Sequence, residues 1–371
     1  MSVPFLDLAA QSAEIADEVL PAWQHLFDTA GFIGGSEIDA FEREFAEYIG
    51  VEHVIGVSNG TDALELAYRA VGVGPGDEVI MPANTFIAKA EAASRIGAVP
   101  VFVDVDEEHL LIDPDAVEAA VTSRTRVIVP VHLFGQTAPV ERILPIADRH
   151  GIVVVEDAAQ SQGASSVAGR AGALARIAAT SFYPGKNLGA AGDAGAVMTD
   201  DADAAAVVRN LAAHGSSTKY VHDHVGMNAR LDAIQAPVLR AKLRRLDGWN
   251  AARQEAADRY STLLADVDGV RTPTVRPGNA DVWPLYVIRI ADRERVVAEL
   301  SAAGIGVGIH YPTPVHLTEA YAALGYRRGQ FPVVEAAADT ILSLPMHPHL
   351  NAGQQERVVA VLRSAVCSVR P

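Results

Sequence analysis

From residue 54 onward the chain alternates short apolar runs with longer amphipathic stretches. The runs at 54–57, 78–81, 99–103, 127–131, 152–155, 179–182 and 196–198 read as strands. Several are continuous Val/Ile runs, the pattern of strands buried on both faces. Strands separated by helical stretches predict a mostly parallel seven-stranded sheet covered by helices, an α/β domain. Ahead of it, 4–8 reads as an extended arm and 14–29 as an amphipathic helix. The segment 31–35 reads as a turn, and Ser36 is expected to cap a helix carrying Ile38, Phe41, Phe45 and Tyr48 at helical spacing. Around 240–249 the pattern becomes one long helical stretch reaching about 264. The remainder reads as a smaller α+β unit with strands near 285–290 and 306–310. The expected division is a large domain at 1–245 and a small C-terminal domain at 246–371, without repeats.

Composition narrows the class. A chain of 371 residues with 49% hydrophobic content can bury a substantial core. Its formal charge of −16 argues against binding nucleic acid or anionic lipid through a general basic surface, although a local basic pocket remains open. The single cysteine, Cys367, rules out a disulfide framework. The start M-S-V-P-F-L-D-L has no basic segment and meets Asp7 early, unlike a signal peptide. No apolar run approaches the roughly 18 residues of a membrane span. A soluble, cytoplasmic protein is expected. The close pairs His222/His224 and His347/His349 lack a metal-ligand pattern, and no metal site is expected.

The chemistry concentrates at strand ends, where α/β sheets place ligands. The chain has four lysines, Lys89, Lys186, Lys219 and Lys242. Lys186 stands in S-F-Y-P-G-K-N-L-G, a Pro-Gly turn between two apolar strands. An arginine would solubilise such a turn equally well, whereas only lysine offers a primary amine. That amine can form a Schiff base with an aldehyde such as that of pyridoxal phosphate (PLP). A loop lysine paired with an acid is the other reading. The strand at 54–57 runs into Ser58-Asn59-Gly60-Thr61 at a helix start, which suits either an anion such as phosphate or an ordinary N-cap. Asp157 ends an apolar strand, where a carboxylate needs a cationic partner such as a protonated pyridine nitrogen, or serves as a cap on the next helix. Phe86 can stack on a planar ring or belong to the core. The glycine-rich segments 72–76 and 304–308 do not follow strands in the way a dinucleotide fingerprint requires.

Seven motifs in order, S-N-G-T-D-A-L (58–64), A-N-T-F-I-A (83–88), V-H-L-F-G-Q (131–136), V-E-D-A-A-Q (155–160), S-F-Y-P-G-K-N-L-G (181–189), N-A-R-L-D-A-I-Q-A (228–236) and I-H-Y-P-T-P-V-H-L (309–317), resemble the DegT/StrS family of PLP-dependent sugar aminotransferases. The resemblance spans essentially the whole chain. It implies the aspartate-aminotransferase type of fold (fold type I) and a homodimer with composite active sites.

By matching position, Lys186 would be the Schiff-base lysine and Asp157 the partner of the pyridine nitrogen. Gln160 would lie near the phenolic oxygen, and Phe86 would stack on the ring. Gly60, Thr61 and Ser181 would hold the phosphate, with Asn228 reaching it from the partner subunit. Tyr183, His310 and Tyr311 fall where relatives meet the sugar. Two departures stand out: many relatives have His where Gln162 stands, and many have His near Pro284, differences expected to tune substrate choice.

The implied reaction is a ping-pong transamination from L-glutamate through a Lys186 aldimine and a pyridoxamine phosphate form. The acceptor would be a nucleotide-linked 3-keto-6-deoxyhexose, commonly dTDP-linked, as the stretch 182–193 resembles that branch. A 4-keto sugar nucleotide or a keto-cyclitol is the alternative acceptor. The family's PLP-dependent dehydratases carry histidine in place of the lysine, so Lys186 argues against dehydration. A non-catalytic sensor that binds PLP or a sugar nucleotide is the remaining alternative.

Overall fold

In a computed structural model, residues 2–367 are described; the side chain of Cys367 lies outside that description. Seven strands form the main sheet: β1 His53–Val57, β2 Glu78–Pro82, β3 Val99–Val103, β4 Thr125–Ile128, β5 Val153–Asp157, β6 Ile177–Ser181 and β7 Gly195–Thr199. Their spatial order is β1-β7-β6-β5-β4-β2-β3. Only β7 runs against its neighbours, pairing Gly195 with Val57 on one side and with Ser181 on the other. The expected mostly parallel sheet is therefore present, and the fold is α/β. Because β1, β2, β4, β5 and β6 point the same way, their following loops emerge along one edge. β4 ends at Ile128, earlier than the apolar run suggests; Val131 keeps only an isolated bridge to Asp157.

Helices cover both faces. The first, α1 (Leu8–Thr29), begins earlier than its hydrophobic periodicity indicates, because Asp7 accepts from the N–H of Ala10 and caps it. α2 (Ser36–Ile49) is capped by Gly35 at φ 97°, not by a side chain, so Ser36 is its first helical residue instead of its cap. This helix buries Phe41 and Phe45 edge-on against Phe182, with ring centroids 5.4 and 5.3 Å away. Those contacts, beyond their burial, pin the chain just past the end of β6. Two further helices start at the ligand edge, α3 (Gly60–Ala70) and α4 (Ala88–Arg95).

A second hydrophobic core gathers Tyr260, Tyr286, Ile288, Leu342, Leu344 and Leu362. Its antiparallel sheet comprises β8 (Val270–Arg271), β9 (Tyr286–Ile290) and β10 (Ile341–Leu344). The segment 306–310 is not the strand its sequence suggested: it makes a single bridge, Gly308 to Ser343, and β10 takes the place beside β9. A Cβ on Gly306 would lie 2.7 Å from the backbone nitrogen of Phe5, so the segment packs on the N-terminal arm instead of extending a ladder. The arm is held there by Val3, whose N–H donates to Gly304 and whose carbonyl accepts from Gly306, at 2.9 and 2.8 Å. The long helical stretch divides into Gln235–Leu243 and Leu246–Leu264, broken at Arg244–Arg245.

Candidate active site

The loops at the carboxyl edge of the sheet enclose a cavity of about 610 Å³. Gly60, Thr61, Phe86, Asp157, Gln160, Ser181, Tyr183, Lys186, His310 and Tyr311 all line it. Asn228 does not. It is exposed, and its amide oxygen accepts from the Arg230 guanidinium at 2.9 Å.

Lys186 is presented by a tight turn following Phe182. Its N–H donates to the Tyr183 carbonyl at 2.8 Å, and Ala190 N–H returns to the Phe182 carbonyl at 2.8 Å. Gly189 closes this loop where no side chain fits, since a Cβ there would lie 2.3 Å from the Pro184 carbonyl oxygen. Burial holds the Lys186 ammonium down to about 8; Lys89 lowers it further and the Asp157 charge opposes both. A substantial share of the amine is thus neutral near physiological pH.

Asp157 closes β5 and faces the cavity. Its Oδ1 accepts from the Ala159 N–H at 3.0 Å and its Oδ2 lies 3.1 Å from the Lys89 Nζ. Of the two sequence readings of Asp157, a cap on the next helix does not hold, because only turns follow β5, while the carboxylate does meet a cation. The cation in place belongs to Lys89, which composition alone had not singled out among the lysines. Lys89 is 1% exposed, and its other contacts are the Thr85 hydroxyl and the Phe86 carbonyl.

At the start of α3, Asn59 accepts from the Asp62 N–H at 2.9 Å, an N-cap as the sequence allowed. The N–H groups of Gly60 and Thr61 in that first turn have no intrahelical acceptor and line the cavity. Gly60 is required, because a Cβ would lie 2.6 Å from Cβ of Ser181. A helix start with unpaired first-turn amides, the kind of site that suits an anion, thus abuts the end of β6.

The Gln160 side chain bridges two elements: its oxygen accepts from Phe134 N–H at 2.8 Å and its amide donates to the Tyr311 hydroxyl at 3.2 Å. Burial, together with the nearby Asp157 charge, raises the Tyr311 phenol well above its usual range. Phe86 is 53% exposed and therefore a cavity wall, not core; its ring lies 5.7 Å from that of Tyr311. His310 stacks on Phe5, and its Nδ1 is 2.8 Å from Ser343 Oγ. Burial, then Lys186, lowers its pKa to about 4, leaving a neutral imidazole.

Lys89, Phe5 and Leu6 also line the cavity, and none of them was among the candidates. Lysine amid alanines was the available signal for the first. Of the two departures expected to tune substrate choice, Pro284 reaches the cavity and Gln162 does not. Gln162 is 2% exposed, and its amide donates to Thr180 Oγ1 at 2.8 Å and to the Ser181 carbonyl at 3.0 Å, bracing β6 from behind.

An amine, a carboxylate, exposed first-turn amides and an aromatic wall converge on one cavity. These fit an aldehyde, a basic ring nitrogen, a phosphate and a planar ring. The DegT/DnrJ/EryC1/StrS aminotransferase family matches residues 13–363. The chain belongs to this family. It is 48% identical over 364 residues to the erythromycin biosynthesis sensory transduction protein of Saccharopolyspora erythraea, covering 98% of this chain and 100% of that protein. It is 45% identical over 361 residues to the dTDP-3-amino-3,4,6-trideoxy-alpha-D-glucose transaminase of Streptomyces venezuelae, covering 97% and 95%. The crystal structure of DesV from S. venezuelae in complex with a ketimine intermediate superposes with a TM-score of 0.96 at 44% identity, covering 100% of this chain and 99% of that one. The protein is a PLP-dependent sugar aminotransferase, and its cofactor is PLP.

Proposed function

We propose that the protein transfers an amino group from L-glutamate to a nucleotide-linked 3-keto-6-deoxyhexose carried on dTDP. One cavity serves donor and acceptor in turn, which predicts ping-pong kinetics. The observation that carries the reading is the half-buried Lys186 amine, held down to about 8, in a cavity closed on another side by Asp157. Support for the acceptor comes from relatives: transaminases named for dTDP-3-amino sugars are 45%, 44% and 42% identical to this chain.

In this reading Lys186 holds the cofactor covalently, and Asp157 faces its ring nitrogen. Gly60, Thr61 and Ser181 take the phosphate, Phe86 covers a ring face and Gln160 lies by the phenolic oxygen. Bound PLP supplies an aldehyde for the donor amine and an electron sink for the bond broken at the donor's α-carbon. Lys186, once released, is neutral enough to take the α-proton on its Nζ and return it on the cofactor side. Tyr183, His310 and Tyr311 face the sugar. Asn228, exposed outside its own cavity, completes the phosphate site of the partner subunit in a homodimer.

Absorbance of the purified protein tests the donor half. L-Glutamate should convert the long-wavelength cofactor band to the shorter-wavelength amine form. Screening 3-keto and 4-keto sugar nucleotides against the aminated protein then identifies the acceptor, and conversion of only 4-keto sugars or keto-cyclitols overturns the assignment. A second reading, a sensor without turnover, draws on relatives named as a sensory transduction protein and a pleiotropic regulatory protein, 48% and 45% identical. A cofactor band that no amino donor shifts would favour it.

A further inference from the structure

Lys89 plays no part in the reading above, yet it is the most completely bonded cation at the cavity. It sits in the first turn of α4 and is 1% exposed among Ala88, Ala90, Ala92 and Ala93, all buried. An ammonium on such a face is costly unless every proton finds an acceptor. All three do: Nζ contacts the Thr85 hydroxyl, the Phe86 carbonyl at 2.9 Å and Asp157 Oδ2 at 3.1 Å. Thr85, Phe86 and Asp157 are themselves cavity walls, so one amine ties three walls of the site together.

We propose that Lys89 is a positioning residue of the cofactor site, which orients the Asp157 carboxylate and divides its charge with the cofactor's ring nitrogen. The proposal rests on the reading that Asp157 faces that nitrogen. A carboxylate offers about four lone-pair positions. Oδ1 is engaged by Ala159 N–H, and Oδ2 can accept from Lys89 and from a ring N–H at once. An unshared carboxylate would hold the ring nitrogen protonated most strongly. An ammonium on the same oxygen weakens that pull and disfavours added positive charge on the cofactor. The other groups facing Lys89 are Lys186 from the turn after β6 and Tyr68 from α3, whose hydroxyl donates to the Lys89 carbonyl at 3.4 Å. Neither replaces the ion pair.

The test is an absorbance titration of the PLP-loaded protein against pH, without substrates, for wild type, Lys89→Met, Lys89→Arg and Asp157→Asn, alongside PLP dissociation constants. Removing the Lys89 charge should raise the midpoint at which the chromophore loses its proton by about one pH unit. Lys89→Arg should stay near wild type, and Asp157→Asn should lower the midpoint and weaken PLP binding. An unmoved midpoint in Lys89→Met, with Asp157→Asn altered, overturns the role of Lys89 and leaves Asp157 standing. Equal shifts in Lys89→Met and Lys89→Arg overturn it too, since charge would not be the cause. If Asp157→Asn changes neither midpoint nor affinity, the reading of Asp157 fails and Lys89 falls with it. Lys89→Gln repeats the charge removal should the methionine variant not fold.

Discussion

The Nε2 of His132 lies 2.7 Å from Oε2 of Glu156, and neither side chain has any solvent exposure. His132 Nδ1 accepts from the Ala138 N–H at 2.9 Å, so the ring proton is on Nε2 and is donated to Glu156. Glu156 also accepts from the N–H groups of Gly172, Leu174 and Ala175 at 2.8, 2.8 and 2.7 Å. Neighbours on a strand point to opposite faces, so Glu156 anchors β5 on one side while Asp157 faces the cavity on the other. Glu156→Gln places an amide NH₂ among N–H donors and should cost about 2–3 kcal/mol of stability. Urea unfolding measures this; a loss below about 0.5 kcal/mol would show that the network is dispensable.

Gly60→Ala should weaken PLP binding without unfolding the protein. The new Cβ would lie 2.6 Å from Ser181 Cβ, so α3 and the end of β6 must separate where the proposed phosphate site lies between them. A roughly tenfold rise in the dissociation constant corresponds to about 1.4 kcal/mol. Equilibrium dialysis reads it directly, and unchanged affinity would exclude this helix start as the phosphate site.

The pH dependence of kcat should carry one limb from Lys186. Burial lowers its pKa to about 8, and the form that takes a proton is the neutral one. Activity therefore rises with pH through that region, flattens above it and falls about tenfold per unit well below it. His310, lowered to about 4 chiefly by burial, is already neutral there. His310→Gln should leave the midpoint in place whatever it does to the rate; a midpoint that moved would assign the limb to His310.

Gln162→Ala should cost stability without changing substrate choice. Its amide braces Thr180 and Ser181 from outside the cavity, so losing these bonds removes about 1–3 kcal/mol. The ratio of kcat/KM between a 3-keto and a 4-keto sugar nucleotide should stay within about twofold, a small fraction of the effect of a lost pocket contact. Pro284→His, inside the cavity, should change that ratio. The opposite ranking would return Gln162 to a specificity role.

The main sheet and most of the candidate site were legible because their signals are local. Continuous Val/Ile runs mark strands buried on both faces, and the loops that follow such strands are where ligands gather. Lys186, Asp157 and Gly60 each stand at a strand end or helix start, which made them visible. The segment 306–310 misled because its alternation of Ile, Gly and Val is a local signal too, while its packing against Phe5 depends on the distant N-terminal arm. Gln162 misled in the other direction: the histidine of relatives at its position suggested a substrate role, and the turn after β5 carries its side chain out of the cavity onto Thr180.

The amino-acid sequence by itself determined the α/β class, the order of the strands along the chain and the turn that presents Lys186. Short-range periodicity, turn chemistry and strand-end position encode all three. Only the tertiary structure decided which polar groups meet. A lysine in an alanine-rich helical turn reads like any surface lysine until β5 packs beside it. The Lys89–Asp157 pair exists because two segments far apart in sequence are buried against each other, and the cost of leaving either charge alone there holds them together.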